Sequence, residues 1–277
     1  MTESASFTRA MALHRVEDGS ESGDPVFAGE LNLHWTIGPK VHGGVMLALC
    51  AKAARLALGG DGPEQPVAVS ASFLTAPDPG SVRLVTAIRK RGRRVSLVDV
   101  ELTQGDRVAV RASVTLAHPE HDAPPLLAVG TAHADMPVEP PPEFGPIEPG
   151  HPLAEINHLA AGCDIRPDMS GLRTVADGQS PKTRIWVRPR HDDLDVLFAL
   201  MCGDISMPVT FAVGRTGWAP TVQLTAYLRG VPADGWLRIV ASTMQIGQDW
   251  FDEDHVVVDS TGRIVVQTRQ LALVPAP

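Results

Sequence analysis

Apolar positions recur along the chain with two different periods. From Val45 to Leu58 every residue except Lys52 and Arg55 is apolar. A run of that length, opened by Gly43-Gly44, reads as a helix buried nearly all round. A second apolar helix starts near Asp192, Asp193 and Asp195, runs through VLFALMCG and ends near Pro208. The three acidic residues suit a helix N-terminus. Segments rich in Val, Ile and Leu follow each helix, separated by Gly, Pro and Asp turns. They predict strands at 67–74, 82–90, 95–103 and 107–117, and again at 222–228, 237–245, 250–259 and 264–274. Shorter strands near 27–34 and 183–188 precede the helices. One buried helix wrapped by an antiparallel meander, twice over, is an α+β architecture.

The two halves resemble each other. VRLVTAIRKRG at 82–92 matches LRIVASTMQIG at 237–247 with an offset of 155. RVAVRASVTLA from Arg107 matches RIVVQTRQLAL from Arg263 with an offset of 156. A repeat this long points to a duplicated domain, not a solenoid. Ten of the 24 prolines fall between Pro119 and Pro152, so that stretch reads as an extended linker. The expected organisation is an N-terminal domain 1–118, a Pro-rich linker 119–150 and a C-terminal domain 151–277.

Composition narrows the function. The chain has 277 residues, of which 44% are hydrophobic and 20% charged, with a net charge of −8. That is globular composition, and an acidic surface argues against a nucleic-acid protein. The start MTESASFTRA has no apolar core of a signal peptide, and Lys52 and Arg55 break the longest apolar run, so neither a leader nor a membrane span is expected. Cys50, Cys163 and Cys202 are odd in number and widely spaced. They read as reduced side chains of a cytoplasmic protein. No Gly-x-Ser-x-Gly elbow and no P-loop is present.

A Gly-Gly helix start, a long helix and a meander, twice in one chain, resemble the double hotdog of the bacterial thioesterase II type of acyl-CoA thioesterases. The residues that carry the resemblance are WTIGPKVHGGVMLALCAKAA and SFLTAPDPG in the first half. In the second half they are RIWVRPRHDDLDVLFALMCGDISMPV, APTVQLTAYLRG and VVQTRQLALV. The resemblance implies two antiparallel sheets, each wrapping a long central helix, joined by the Pro-rich linker. It implies hydrolysis of acyl-CoA to a free acid and coenzyme A with no metal or bound cofactor. It also implies a catalytic Asp near the end of the second helix, a Thr opening the next strand and a Gln in the last strand. These positions match Asp204, Thr221 and Gln270. The chain departs from the family where Pro208 follows Asp204 by four residues rather than five, and where VQLTAYLRG follows Thr221 in place of an acidic residue, a His and paired aromatics.

The repeat makes the same three positions stand out. At the offsets above, Asp204 corresponds to Leu49, Thr221 to Pro66 and Gln270 to Val114. A polar group placed in one copy of a duplicated core is a site candidate, because burying it costs several kcal/mol unless it is bonded. Together the three are expected to hold an attacking water, with the carboxylate as base or orienting group. Gly43 and Gly44 open the first helix, where free N–H groups and the dipole could hold an oxyanion. Close packing against a sheet explains the same glycines equally well. His42 could reach substrate, or cap the helix, or lie on the surface.

Arg89, Lys90, Arg91, Arg93 and Arg94 form a basic cluster in an acidic protein. It reads either as a solvated hairpin turn or as a site for coenzyme A phosphates through Arg91, Arg93 and Arg94. His118 and His121 have metal-like spacing but no helix to place them on one face, so no metal site is expected. His255 lies in a strand without an identifiable partner. Two other readings stay open beside the thioesterase: a non-catalytic acyl-CoA-binding protein on the same fold, and an enoyl-CoA hydratase, which would need a His where Val209 stands. Hotdog sheets pack edge to edge, so a homodimer or larger homo-oligomer is expected.

Overall fold

A computed structural model describes residues 5–16, 23–60, 62–121, 123–129, 133, 135–172 and 180–276. Residues 1–4, at the start read for a leader, and parts of the 119–150 linker lie outside the described residues. α1 (Phe7–Ala10) and β1 (His14–Val16) lead into β2 (Val26–Leu31). A small hairpin, β3 (Thr36–Ile37) and β4 (Lys40–Val41), runs directly into α2 (Gly43–Ala57). Four long strands follow: β5 (Gln65–Phe73), β6 (Gly80–Lys90), β7 (Val95–Gln104) and β8 (Arg107–Ala117). The second half repeats the plan with β9 (Cys163–Asp168), β10 (Lys182–Pro189), α3 (Val196–Cys202), β11 (Thr221–Leu228), β12 (Leu237–Ser242), β13 (Trp250–Val258) and β14 (Ile264–Leu273).

Twelve of these strands form one sheet in the order β1-β2-β6-β7-β8-β5-β11-β14-β13-β12-β10-β9. The order reads alike from both edges, with β2-β6-β7-β8-β5 answered by β10-β12-β13-β14-β11. β5 and β11 are the seam, paired antiparallel with Ser70 opposite Thr225. Their hydroxyls lie 2.9 Å apart, across a sequence separation of 155. That separation is the offset of the repeat, so the pair marks an approximate twofold axis through the seam. The two sheets expected from the sequence are therefore joined by backbone hydrogen bonds into one, because each half leaves a long unpaired edge that the other can satisfy.

α2 packs against α3 and the inner faces of β5 to β8. Leu47, Ala48, Leu49, Cys50, Ala51, Ala53 and Ala54 are fully buried, as the apolar run requires. The small alanines let the strands close around the helix. The strands alternate as their patterns predict: Val98, Val100 and Leu102 of β7 face inward, as do Val110, Ala112, Val114 and Leu116 of β8.

The second helix is shorter than expected. Asp195 caps its start by accepting the Phe198 N–H at 2.7 Å. It stops at Cys202, where the Gly203 N–H turns back to the Leu200 carbonyl. Residues 203–208 then run as a turn and loop to Pro208. β9 lies where no strand was expected. The Pro-rich stretch is exposed at Leu126, Leu127 and Val129 but packed from Met136 on. Met136 is buried beside Trp186, Trp236 and Val240, Trp186 donates its indole N–H to the Pro137 carbonyl at 2.9 Å, and Phe144 stacks on Trp186 at 5.5 Å.

Candidate active site

The two halves meet where α2 begins. His42 stands at the N-cap with an extended backbone but makes no side-chain cap. The cap comes from the other half: Asp204, two residues beyond α3, accepts the Gly44 N–H on Oδ2 at 2.6 Å. This approach requires glycine. A Cβ on Gly44 would come within 2.5 Å of the Met201 carbonyl oxygen and 2.9 Å of the Asp204 Cβ. One on Gly43 would come within 2.8 Å of Asp204 Oδ2. The Gly44 N–H, expected to face a ligand, is thus committed to the carboxylate, and the positive end of the helix acts on Asp204.

His42 is buried, not on the surface. Its Nε2 lies 3.1 Å from the Asp204 carbonyl oxygen and 3.6 Å from Oδ2. Burial raises the Asp204 pKa, while His42 and the Gly44 N–H pull it back. A buried carboxylate with opposed influences of this kind has a higher proton affinity than a surface one, as a base needs.

A second group lies on β11, β13 and β14. Gln270 faces inward in step with Val266, Thr268 and Ala272. Thr221 opens β11 where the register against β14 shifts between Thr221 and Gln223. Such an irregularity re-aims a side chain. The Thr221 hydroxyl donates to Gln270 Oε1 at 2.7 Å. Gln270 Nε2 donates in turn to Glu253 Oε2 at 2.6 Å, and the Ser206 hydroxyl donates to the same oxygen at 3.0 Å.

Glu253 is 1% exposed, and burial pushes its pKa up to about 8. The charge of Asp204 pushes the same way, while the Ser206, Gln270 and Val209 donors oppose. Ser206 lies two residues after Asp204, so its bond to Glu253 ties the Asp204 loop to the Gln270 group. His255, the next inward residue of β13, has Nε2 3.7 Å from Glu253 Oε2. Burial first, and then His42, pushes its pKa down to about 3.

Sequence reasoning identified Asp204, Thr221, Gln270, His42, Gly43 and Gly44, and the structure brings Asp204 to the last three and Thr221 to Gln270. It missed Ser206 and Glu253. The signal for Glu253 was the alternation of Phe251, Glu253, His255 and Val257, hidden because Asp252 and Asp254 make the segment look like a charge run.

The basic cluster is not at this site. The β6–β7 hairpin sits at the far end of α2, where Arg91 donates to the Ala57 carbonyl at 3.3 Å and Arg89 pairs with Asp99 at 2.7 Å. At 1.5 Å rise per residue, that end is about 20 Å from Gly44. Arg93 and Arg94 are exposed. Among the described residues, no three or more His, Cys, Asp or Glu side chains are arranged to hold a metal. His121 instead meets Arg263 at 2.7 Å. The three cysteines are free and buried, and burial raises all three thiols, Cys50 to about 12. A cavity of about 660 Å³ opens beside the β3–β4 hairpin, lined by Thr36, Gly38, Asn157, His158 and Arg190 among others. None of its lining residues belongs to the Asp204 or Gln270 groups. No helix among the described residues is long and apolar enough to cross a membrane.

Comparisons with known proteins bear on this geometry. The model of the acyl-CoA thioesterase N-terminal domain matches residues 31–117, and that of the acyl-CoA thioesterase C-terminal domain matches residues 131–274. An uncharacterised protein of Mycobacterium tuberculosis is 61% identical, over 98% of this chain and 99% of its own. A candidate thioesterase II from Thermobifida fusca superposes with a TM-score of 0.80 at 26% identity, covering 98% of this chain and 97% of that one. A protein of unknown function with a hot dog fold from Alicyclobacillus acidocaldarius superposes at 0.75 with 20% identity, over 98% of each chain. An acyl-CoA thioesterase II from Mycobacterium marinum superposes at 0.71 with 16% identity, over 98% of this chain and 97% of that one. The last two show likeness of fold.

Proposed function

The chain belongs to the acyl-CoA thioesterase family, and on that premise we propose that Asp204, Thr221 and Gln270 hold the water that hydrolyses an acyl-CoA thioester. The observation that carries the reading is the Asp204 carboxylate, drawn from one half of the chain and buried against the helix start of the other. Coenzyme A enters only as part of the substrate.

In this reading the water donates one hydrogen bond to Asp204 and is held by the Thr221–Gln270 pair. Its oxygen attacks the thioester carbon as its proton passes to Asp204. The carbonyl π electrons move onto oxygen, and the partial positive charge at the start of α2 offsets the negative charge that develops. The tetrahedral intermediate collapses, the C–S bond breaks, and the proton on Asp204 goes to the departing thiolate. The products are a free acid and coenzyme A with its thiol restored. His42, beside Asp204, holds that carboxylate in place rather than meeting the substrate directly.

The test is free-thiol release from acyl-CoAs of short, long and aromatic acyl groups, for wild type and Asp204→Asn. A loss of about a hundredfold or more in kcat supports Asp204 as base or orienting group. Turnover indifferent to Asp204→Asn leaves the thioesterase and removes this site. The acyl-CoA with the highest kcat/KM names the substrate class.

A further inference from the structure

We infer that Glu253 is the positioning residue that decides which way round the Gln270 amide lies, and through it where the Thr221 hydroxyl points. The inference rests on the reading of Thr221 and Gln270 given above.

An amide side chain has a donor end and an acceptor end of nearly equal size, so packing alone does not choose between two orientations half a turn apart. The neighbours choose. Glu253 and Gln270 are directly opposite each other in the β13–β14 register, both facing inward and both at least 94% buried. Gln270 Nε2 reaches Glu253 Oε2 at 2.6 Å. Reversing the amide would set Gln270 Oε1 against Glu253 Oε2, acceptor against acceptor, in a place without solvent to intervene. It would also present an N–H₂ to Thr221, which now donates its hydroxyl proton to Gln270 Oε1 at 2.7 Å. Thr221 would then become an acceptor and its proton would swing toward the space assigned to the water. Oε2 acts as an acceptor toward both Ser206 and Gln270, and the choice follows from that.

The shared oxygen does more than orient an amide. Ser206 lies two residues after Asp204, so one carboxylate oxygen ties the loop carrying the base to the strand carrying Gln270. A buried carboxylate whose role was only to fill space would be better replaced by Leu or Met of similar volume.

Four variants separate this role from a structural one: Gln270→Ala, Glu253→Leu, Glu253→Gln, and Glu253→Leu combined with Gln270→Ala. Each is read by kcat and KM for thiol release, with thermal unfolding as the check on folding. Glu253→Leu is expected to lower kcat about tenfold or more with KM within about twofold. Glu253→Gln, whose amide oxygen can accept the same bond, recovers most of that loss. In the Gln270→Ala background, Glu253→Leu lowers kcat by less than about twofold further, because the effect has no route left. If Glu253→Leu does not fold, Glu253→Asp gives the same comparison more mildly, since it withdraws the oxygen by one methylene and keeps the charge. An equal fold-loss in both backgrounds, or full activity in Glu253→Leu, overturns the inference while leaving the site. If Gln270→Ala itself leaves kcat unchanged, the reading of the site falls, and this inference with it.

Discussion

Gly44→Ala tests the junction of the halves with one methyl group. In an open helix the change would stabilise by about 1 kcal/mol, the ordinary propensity difference. Here the added Cβ meets the Met201 carbonyl oxygen at 2.5 Å, the Asp204 Cβ at 2.9 Å and the His42 Cε1 at 3.0 Å. The first of these is backbone at the end of α3 and cannot swing aside, so α2 and the 201–204 segment must separate by several tenths of an ångström or more. Overpacking of this kind costs about 1–3 kcal/mol beyond the propensity gain, which for a chain of this size lowers Tm by roughly 2–10 °C. The larger effect is on catalysis. The same separation stretches the 2.6 Å bond from Gly44 N–H to Asp204 Oδ2, and a misplacement near 1 Å at a reacting group costs about a hundredfold in rate. The assay is thiol release at saturating acyl-CoA beside a thermal melt. A Gly44→Ala protein with unchanged or raised Tm and kcat within twofold of wild type would refute the close junction and the role of Asp204 together.

Glu253, with its pKa raised to about 8 from the ordinary 4.5, binds a proton on folding between those values. The folded state then holds more protons than the unfolded one, so stability falls as pH rises through that window, by at most about 1.4 kcal/mol per unit. His255, lowered to about 3 from 6.5, acts oppositely. The unfolded chain takes up a proton that the folded chain refuses, so stability falls as pH drops below 6.5. Between pH 6.5 and 8 the Glu253 slope stands without that opposition. Thermal melts should show Tm falling across that interval in wild type and a flatter profile in Glu253→Gln; parallel profiles would sink the assignment of the proton to Glu253. The double change Arg93→Ala/Arg94→Ala should leave KM for acyl-CoA within about twofold, as a solvated hairpin turn with both side chains exposed requires. A rise of tenfold or more, steeper at low salt, would put coenzyme A phosphates there after all.

Much of the fold was legible because burial leaves a periodic trace. The apolar run at 45–58 predicted α2 nearly to the residue, and alternation of Val and Leu predicted β7, β8, β13 and β14 within a residue or two. β9 escaped because Cys163–Asp168 reads CDIRPD, a short edge strand in which three charges and a proline mask the alternation of Cys163 and Ile165. The short α3 escaped because the helix was read on to Pro208, whereas the chain turns at the Gly203 cap directly after Cys202.

The chemistry divides along the same line. Asp204, Thr221 and Gln270 stood out as candidates in the chain, first through the family resemblance and then because polar residues stand where the first copy has Leu49, Pro66 and Val114. Local sequence determines helix, strand and turn because these depend on neighbours a few residues away. What touches what across the twofold seam depends on loop closure over more than a hundred residues. The bond between Gly44 and Asp204 spans 160 positions, and no period or motif encodes it. The same holds for the burial that lifts Glu253 and for the register that places it opposite Gln270. A carboxylate in a run of acids becomes a buried proton carrier only when the sheet closes over it, because desolvation is a property of the assembled core and not of the residue.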